Sequence, residues 1–241
     1  MGHLSSHGIK TVQHHMPLHY LPFVNRSCRL LSKASLVSMG FSQTHFRSRS
    51  RDRDVSRGFA AYVHMTIDRA APILEAKLRI GFPHITISVP ANSIDAVPFS
   101  LCRFNVAMTR RLRRSERDGF PESAKNGRYY PGHAIPIART SEEISAMLRQ
   151  NLPQNTAIEV LVHCAFRLPN QTDVICYSDA DAEIARVALT SPKHIWAVVV
   201  EKSPCHYPRS EKHSASVETF IEQALADPTW RGDGLEFDQP H

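Results

Sequence analysis

A carboxylate stands inside an apolar run, Ala157-Ile158-Glu159-Val160-Leu161-Val162. Six residues rich in β-branched side chains read as a strand, whose alternation puts Ala157, Glu159 and Leu161 on one face and Ile158, Val160 and Val162 on the other. Burying an ionised carboxylate without partners is costly. Three arrangements are therefore open: the strand opens into a cleft where Glu159 does chemistry, a nearby arginine neutralises it, or the position is a solvated edge. Other reactive side chains lie at strand ends and in loops. His64 and Thr66, in Tyr62-Val63-His64-Met65-Thr66-Ile67, share one side by alternation. Arg103 follows Val97-Pro98-Phe99, and His133 lies in Tyr129-Tyr130-Pro131-Gly132-His133-Ala134. Each alone also fits a satisfied structural histidine or an ion-paired surface arginine, so catalysis requires that they converge on one cleft.

Close behind Arg103 runs Arg110-Arg111-Leu112-Arg113-Arg114-Ser115-Glu116-Arg117. Such a run is either a solvated helix face or a surface that tracks phosphates, with Tyr129, Tyr130 and Phe120 as stacking platforms for single-stranded nucleic acid. Contacts of that kind give salt-dependent affinity rather than sequence choice.

The elements that must position these residues are mixed. Strands are expected at Phe59 to His64, Ile85 to Val89, Ala157 to Val162, Thr172 to Tyr177 and Ile195 to Val200. Helices are expected from Asp68 through Leu78, over Phe104 to Arg114, over Glu142 to Gln150 after Thr140 or Ser141, over Asp179 to Leu189 after Ser178 or Asp179, and around Val217 to Ala226. No regular βαβ rhythm or internal repeat connects them, so the class is α+β.

With 241 residues, 42% of them hydrophobic, a single domain with a full core is the default. The net charge of +6 is unevenly distributed. Before Gly58 stand nine Lys or Arg against Asp52 and Asp54, a balance of +7, and the remaining 20 basic and 21 acidic residues give −1. The high pI is thus no electrostatic footprint of a nucleic-acid-binding domain as a whole. Residues 1–57, rich in Ser, His and Arg, read as a basic, disordered extension, with 58–241 as the folded domain. A nucleic-acid-binding arm, a transit-like presequence and a start codon placed upstream of Met39 are all compatible with it. A short apolar patch, Leu30 to Val37, could still form a marginal helix.

Five cysteines without a C-x-x-C pair indicate a reducing compartment, hence the cytoplasm. Fourteen histidines show no H-E-x-x-H or zinc-type spacing, so no metal is expected. No apolar run reaches the roughly 20 residues that cross a bilayer.

The order of these short motifs resembles one family. Tyr62-Val63-His64-Met65-Thr66-Ile67-Asp68 followed by Pro72-Ile73-Leu74 is similar to the opening of the DarT family of DNA ADP-ribosyltransferase toxins, where a His-x-Thr element begins the NAD site. Val97-Pro98-Phe99 resembles the segment before the family's catalytic arginine. Gly132-His133-Ala134 resembles its glycine-histidine-alanine element, and Ala157 to Val162 its glutamate strand. Pro192 to Tyr207 is similar to the closing strand, so the resemblance spans about residues 59 to 207.

The resemblance implies an ADP-ribosyltransferase-like split mixed sheet with peripheral helices, NAD as co-substrate, and a nucleobase acceptor, most simply in single-stranded DNA. His64 and Thr66 would bind NAD, with Glu159, Arg103 and His133 as catalytic residues. Cleaving the nicotinamide–ribose bond passes through an oxocarbenium-like state that a positioned carboxylate stabilises. Glu159 could also hold a ribose hydroxyl or take the proton released by the attacking base. Arg103 would contact pyrophosphate or polarise the base, and His133 would complete the acceptor side. Arg110, Arg111, Arg113, Arg114, Tyr129 and Tyr130 would guide the strand. A macrodomain antitoxin is the implied partner. A catalytically inert nucleic-acid binder, or transfer to RNA or protein, are the alternatives.

Overall fold

Strand alternation organises the molecule around one large sheet. The computed structural model describes residues 3–41, 55, 58–67, 71–79, 81–102, 137–149, 158–190 and 194–231. The strands are β1 (Thr11–Pro17), β2 (Arg29–Leu31), β3 (Tyr62–Ile67), β4 (His84–Pro90), β5 (Ser100–Cys102), β6 (Ile137–Ala138), β7 (Glu159–His163), β8 (Ala165–Arg167), β9 (Gln171–Cys176) and β10 (Ile195–Val200). Eight of them form a sheet in the order β10-β9-β4-β1-β3-β7-β5-β6, and β2 pairs with β8 separately. The helices are α1 (His3–Ser6), α2 (Leu21–Ser27), α3 (Lys33–Ser38), α4 (Ala71–Leu78), α5 (Ala91–Asp95), α6 (Ser141–Arg149), α7 (Asp179–Ala188) and α8 (Glu211–Ala226). The sheet is antiparallel apart from the β9/β10 pair, which is parallel and joined through α7, as a parallel connection requires. The architecture is the expected α+β class.

One face of the sheet carries the main core. Val12, Val63, Met65, Ile87, Val89, Val160, Val162 and Val174 alternate onto it, and Phe220 and Ile221 of α8 and Ala182 and Ala185 of α7 join the same cluster. Val217, Phe220, Ile221 and Ala224 recur at helical spacing, which gives α8 its buried stripe. The opposite face is only patchily apolar: Phe59, Cys102 and Leu161 form one small cluster, and Leu74 and Leu78 of α4 with Ile175 and Tyr177 form another. Behind α7, the buried Asp181 accepts from Tyr207 Oη and Arg209 Nε, each at 3.0 Å, and so ties the segment after β10 to the helix.

Several helix starts follow local side-chain chemistry. Ser178 Oγ accepts from the Asp181 amide at 3.1 Å and caps α7. At α6, Thr140 Oγ1 accepts from the Glu143 amide at 3.3 Å while the Glu143 carboxylate accepts from the Thr140 amide at 3.1 Å, a reciprocal capping box. Ser210 caps α8, which begins six residues before the expected Val217 because the polar first turns lie outside the apolar stripe. The strand expected from Phe59, β3, begins at Tyr62 instead, and the Phe59 side chain packs on Cys102 and Leu161. The expected helix over residues 104–114 lies outside the described residues.

The reading of residues 1–57 as a disordered extension is overturned for residues 3–41. β1 sits in the middle of the sheet between β4 and β3, pairing seven residues with β4. Leu4, Val12, Leu18 and Leu21 are fully buried. Composition misleads because five of the segment's nine basic residues follow Phe41. The stretch from Met16 to Val24, dense in Leu, Phe, Tyr and Val, is instead core-forming. The weak helix expected within Leu30 to Val37 resolves into β2 and the Ser32-capped α3.

Candidate active site

Glu159 opens β7 and is in register with Thr66 of β3 on one side and Cys102 of β5 on the other. It is 4% exposed, so the solvated-edge arrangement does not hold. Its Oε2 lies 3.5 Å from Nδ1 of His64. The other ring nitrogen, Nε2, is 3.0 Å from the carbonyl of Phe59. A carbonyl only accepts, so Nε2 carries the hydrogen, and His64 meets the carboxylate as an ion pair whenever its ring holds both hydrogens. Thr66, equally buried, donates from Oγ1 to the Gln13 carbonyl at 3.3 Å. Alternation puts His64 and Thr66 on one side, as the sequence predicts, and the register of β3 with β7 brings Glu159 onto the same face.

That face is polar across the sheet. Register aligns Glu159, Thr66, Gln13, Ser88 and Asp173 in one transverse row over β7, β3, β1, β4 and β9. Neighbouring strands lie about 4.8 Å apart, so the row runs roughly 19 Å from Glu159 to Asp173.

Next to it β1 and β3 part. They pair only at Val12–Ile67 and Gln13–Thr66, whereas β1 stays with β4 through Pro17. Side chains take over carbonyls at the parting: His14 Nδ1 donates to the His64 carbonyl at 2.7 Å, and Lys77 Nζ of α4 donates to the His15 carbonyl at 2.8 Å. His15 continues through Nδ1 to Thr86 Oγ1 at 2.7 Å, which in turn meets Tyr177 Oη at 2.7 Å. Burial pushes the His14 imidazole down to about 4 and the His84 imidazole down to about 3, with the Lys77 charge adding to both shifts. His15 is held well below its usual range for the same reason. Lys77 is pushed down to about 8 by burial and by Lys33, against the pull of Glu159. All three histidines are therefore neutral at pH 7, while Lys77 keeps its proton. A water-poor carboxylate beside an imidazole can stabilise positive charge or take up a proton.

His64, Thr66 and Glu159 converge; the other expected site residues, Arg103, His133, Arg110, Arg111, Arg113, Arg114, Tyr129 and Tyr130, lie outside the described residues. Arg103 directly follows Cys102, the register partner of Glu159. The structure adds Gln13, His14, His15 and Lys77. Their signal in the sequence is the strand Thr11 to Pro17 itself, with Val12 and Met16 as its core positions. Among the described residues no group of three His, Cys, Asp or Glu is placed to hold a metal ion, and no helix is long and apolar enough to cross a membrane.

No family model matches the chain, and none of the curated proteins compared matches it. Solved structures do. The chain is similar to Thermus sp. 2.9 DarT in complex with ADP-ribosylated ssDNA, with TM-score 0.50 and 12% identity, covering 80% of this chain and 95% of that one. It is likewise similar to Thermus sp. 2.9 DarT in complex with carba-NAD+, with TM-score 0.51 and 14% identity, covering 81% and 96%. At such identity the likeness speaks for the fold. The mixed sheet with its peripheral helices agrees with that likeness: the chain has a DarT-like ADP-ribosyltransferase fold.

Proposed function

We propose that the chain is an NAD-dependent ADP-ribosyltransferase that modifies a nucleobase in single-stranded DNA. The observation that carries this reading is the contact of His64 with the buried Glu159 carboxylate, 3.5 Å long, on the polar face of a fold similar to DarT bound to ADP-ribosylated ssDNA. NAD is the substrate, and the half-exposed His64 with the neighbouring Thr66 offers it polar contacts on the same face as the carboxylate.

In the reaction the bond between the nicotinamide nitrogen and the ribose anomeric carbon breaks, and its electron pair neutralises the departing nicotinamide. Positive charge develops on the ribose, where the ionised Glu159 carboxylate stabilises it without having to reorganise. A nitrogen of the base forms the new bond to the same carbon and gives up a proton, for which Glu159 is the acceptor. Arg103 and His133 serve pyrophosphate or base and the acceptor side. Arg110, Arg111, Arg113 and Arg114 track the strand's phosphates, with Tyr129 and Tyr130 stacking on its bases. An activity of this kind in the cytoplasm is toxic to its host, which fits a toxin–antitoxin pair with a macrodomain that removes the modification.

The test is transfer of label from NAD to separate single-stranded DNA, RNA and protein acceptors. Label on DNA alone is the expected result. Label on RNA or protein alone would redirect the acceptor, and no transfer at all, with salt-sensitive DNA binding retained, would identify an inert nucleic-acid binder.

A further inference from the structure

Beyond the end of β7 two arginines stand opposite each other. Arg29 of β2 and Arg167 of β8 are register partners in the antiparallel ribbon, and both are exposed. Directly opposed residues share a face with their Cβ atoms about 5 Å apart, and like charges placed so repel. Leu30 and Phe166, the next register pair, turn into the main core, which fixes the arginine pair on the outer face. The two strands supply nothing to neutralise it: from His3 to Phe41 and from Val160 to Thr172 the chain has no aspartate or glutamate. Among the described residues the arginines that meet a carboxylate side chain are Arg79, Arg186 and Arg209, and Arg26 is taken up by the carbonyls of Ala224 and Pro228. Arg29 and Arg167 keep their guanidinium donors for solvent or a ligand.

The pair lies on a line with the candidate active site. Thr66–Glu159 and Tyr62–His163 belong to one ladder at even spacing, so Tyr62 and His163 share the face of Glu159, about 14 Å further along β7. Their rings meet edge to face at 5.3 Å, and His163 is exposed. At Cys164 the backbone turns left-handed, with φ 61°; its amide donates to the Ala61 carbonyl at 2.7 Å and its carbonyl accepts from the Ser32 amide at 2.8 Å. That corner joins the ladder to the ribbon and sets Arg167 at most about 28 Å from Glu159. Exposed rings followed by paired cations match what a single strand offers, a π-face on every base and a phosphate at every step.

We propose that the β2/β8 ribbon is a docking platform for the single-stranded acceptor, with Arg29 and Arg167 holding backbone phosphates and His163 against Tyr62 offering a stacking face to a flanking base. The proposal rests on the single-stranded DNA reading above and adds to it residues from two other segments of the chain. A nucleic-acid strand is favoured over an acidic peptide because the rings sit beside the cations, and only the strand carries a planar base next to each anion.

Fluorescence anisotropy of a labelled single-stranded oligodeoxynucleotide, titrated with the full chain over a series of salt concentrations, tests it with wild type, Arg29→Gln/Arg167→Gln and Arg29→Lys/Arg167→Lys. Losing two phosphate contacts should lower the slope of log affinity against log salt by about 1.4, at about 0.7 per contact, and the affinity at ~0.1 M salt by at least about fivefold. The lysine pair keeps both charges and should stay within about threefold of wild type with its slope intact. ADP-ribose affinity, measured by calorimetry, is expected to be unchanged in both. Relief of the opposed charges predicts a melting temperature of the glutamine variant no lower than that of wild type. Should that variant fail to fold, Arg167→Glu, which sets a carboxylate opposite Arg29, replaces it with the same expected loss. Unchanged oligonucleotide affinity and slope in a folded glutamine variant overturn the platform and leave the enzymatic reading intact. A matching loss of ADP-ribose binding assigns the arginines to the dinucleotide and also overturns it, as does wild-type binding of polyglutamate as tight as that of the strand. A wild type that binds no single strand overturns the platform together with the DNA acceptor.

Discussion

Replacing Glu159 by glutamine removes one negative charge and almost no volume. The side chain is 5% exposed and faces His64 Nδ1 at 3.5 Å, a polar partner that an amide can also engage. Stability should therefore change by less than about 1 kcal/mol, and the direction can be favourable because a desolvated charge is lost. Catalysis should respond differently. A unit positive charge about 4 Å from a carboxylate, at an effective dielectric constant of about 20, is stabilised by about 4 kcal/mol. An oxocarbenium-like state carries most of a unit charge, so the loss is ~3–4 kcal/mol, or a 100- to 1,000-fold drop in transfer rate at about 1.4 kcal/mol per factor of ten. Single-turnover transfer of labelled ADP-ribose to oligonucleotide, measured with saturating NAD, isolates that step, and a thermal melt of the same preparation reports the fold. A Glu159→Gln protein that transfers at more than a tenth of the wild-type rate would refute the assignment. So would one whose KM for NAD rises while kcat stays constant, since that pattern removes binding common to ground and transition states.

Other perturbations test the frame that holds the site. A chain starting at Met39 lacks β1, leaving β3 and β4 without the strand between them, and is expected to be insoluble or to lack cooperative unfolding by circular dichroism. Asp181→Ala removes the buried acceptor shared by Tyr207 and Arg209, while Arg209 keeps Glu218 at 3.9 Å, and should cost ~2–3 kcal/mol in urea denaturation, with transfer chemistry unaffected where the protein remains folded. Acid should unfold the protein through His14 and His84. The unfolded chain binds protons at these rings below 6.5, whereas the folded state resists them down to about 4 and about 3, so stability falls as pH drops through this window. Between pH 6.5 and 5 each ring contributes about 1.6 kcal/mol of that loss, and His84→Gln should flatten the slope of stability against pH.

The strand part of the site, His64, Thr66 and Glu159, was legible along the chain because strand alternation is a local property. The period of two put His64 beside Thr66 and placed Glu159 opposite Val160, and the structure keeps both arrangements. Capping chemistry was equally local: Thr140 with Glu143 and Ser178 with the Asp181 amide mark helix starts whatever else the chain does. Composition failed where it averaged. Over residues 1–57 a late cluster of arginines masks a strand and a core-forming stretch, and charge count carries no information about which apolar residues will find each other.

The sequence by itself determined the chemistry available: an isolated carboxylate in an apolar strand, a His-x-Thr pair, and an arginine shortly after Val97-Pro98-Phe99. Only the tertiary structure decided which groups face one another. The pairing of β3 with β7 sets His64 against Glu159, residues 95 positions apart, because two antiparallel strands admit a single register once their apolar faces are buried. The parting of β1 from β3, which brings Lys77 from a helix to a carbonyl of the N-terminal strand, depends on contacts 62 residues apart and leaves no local trace in the order of amino acids.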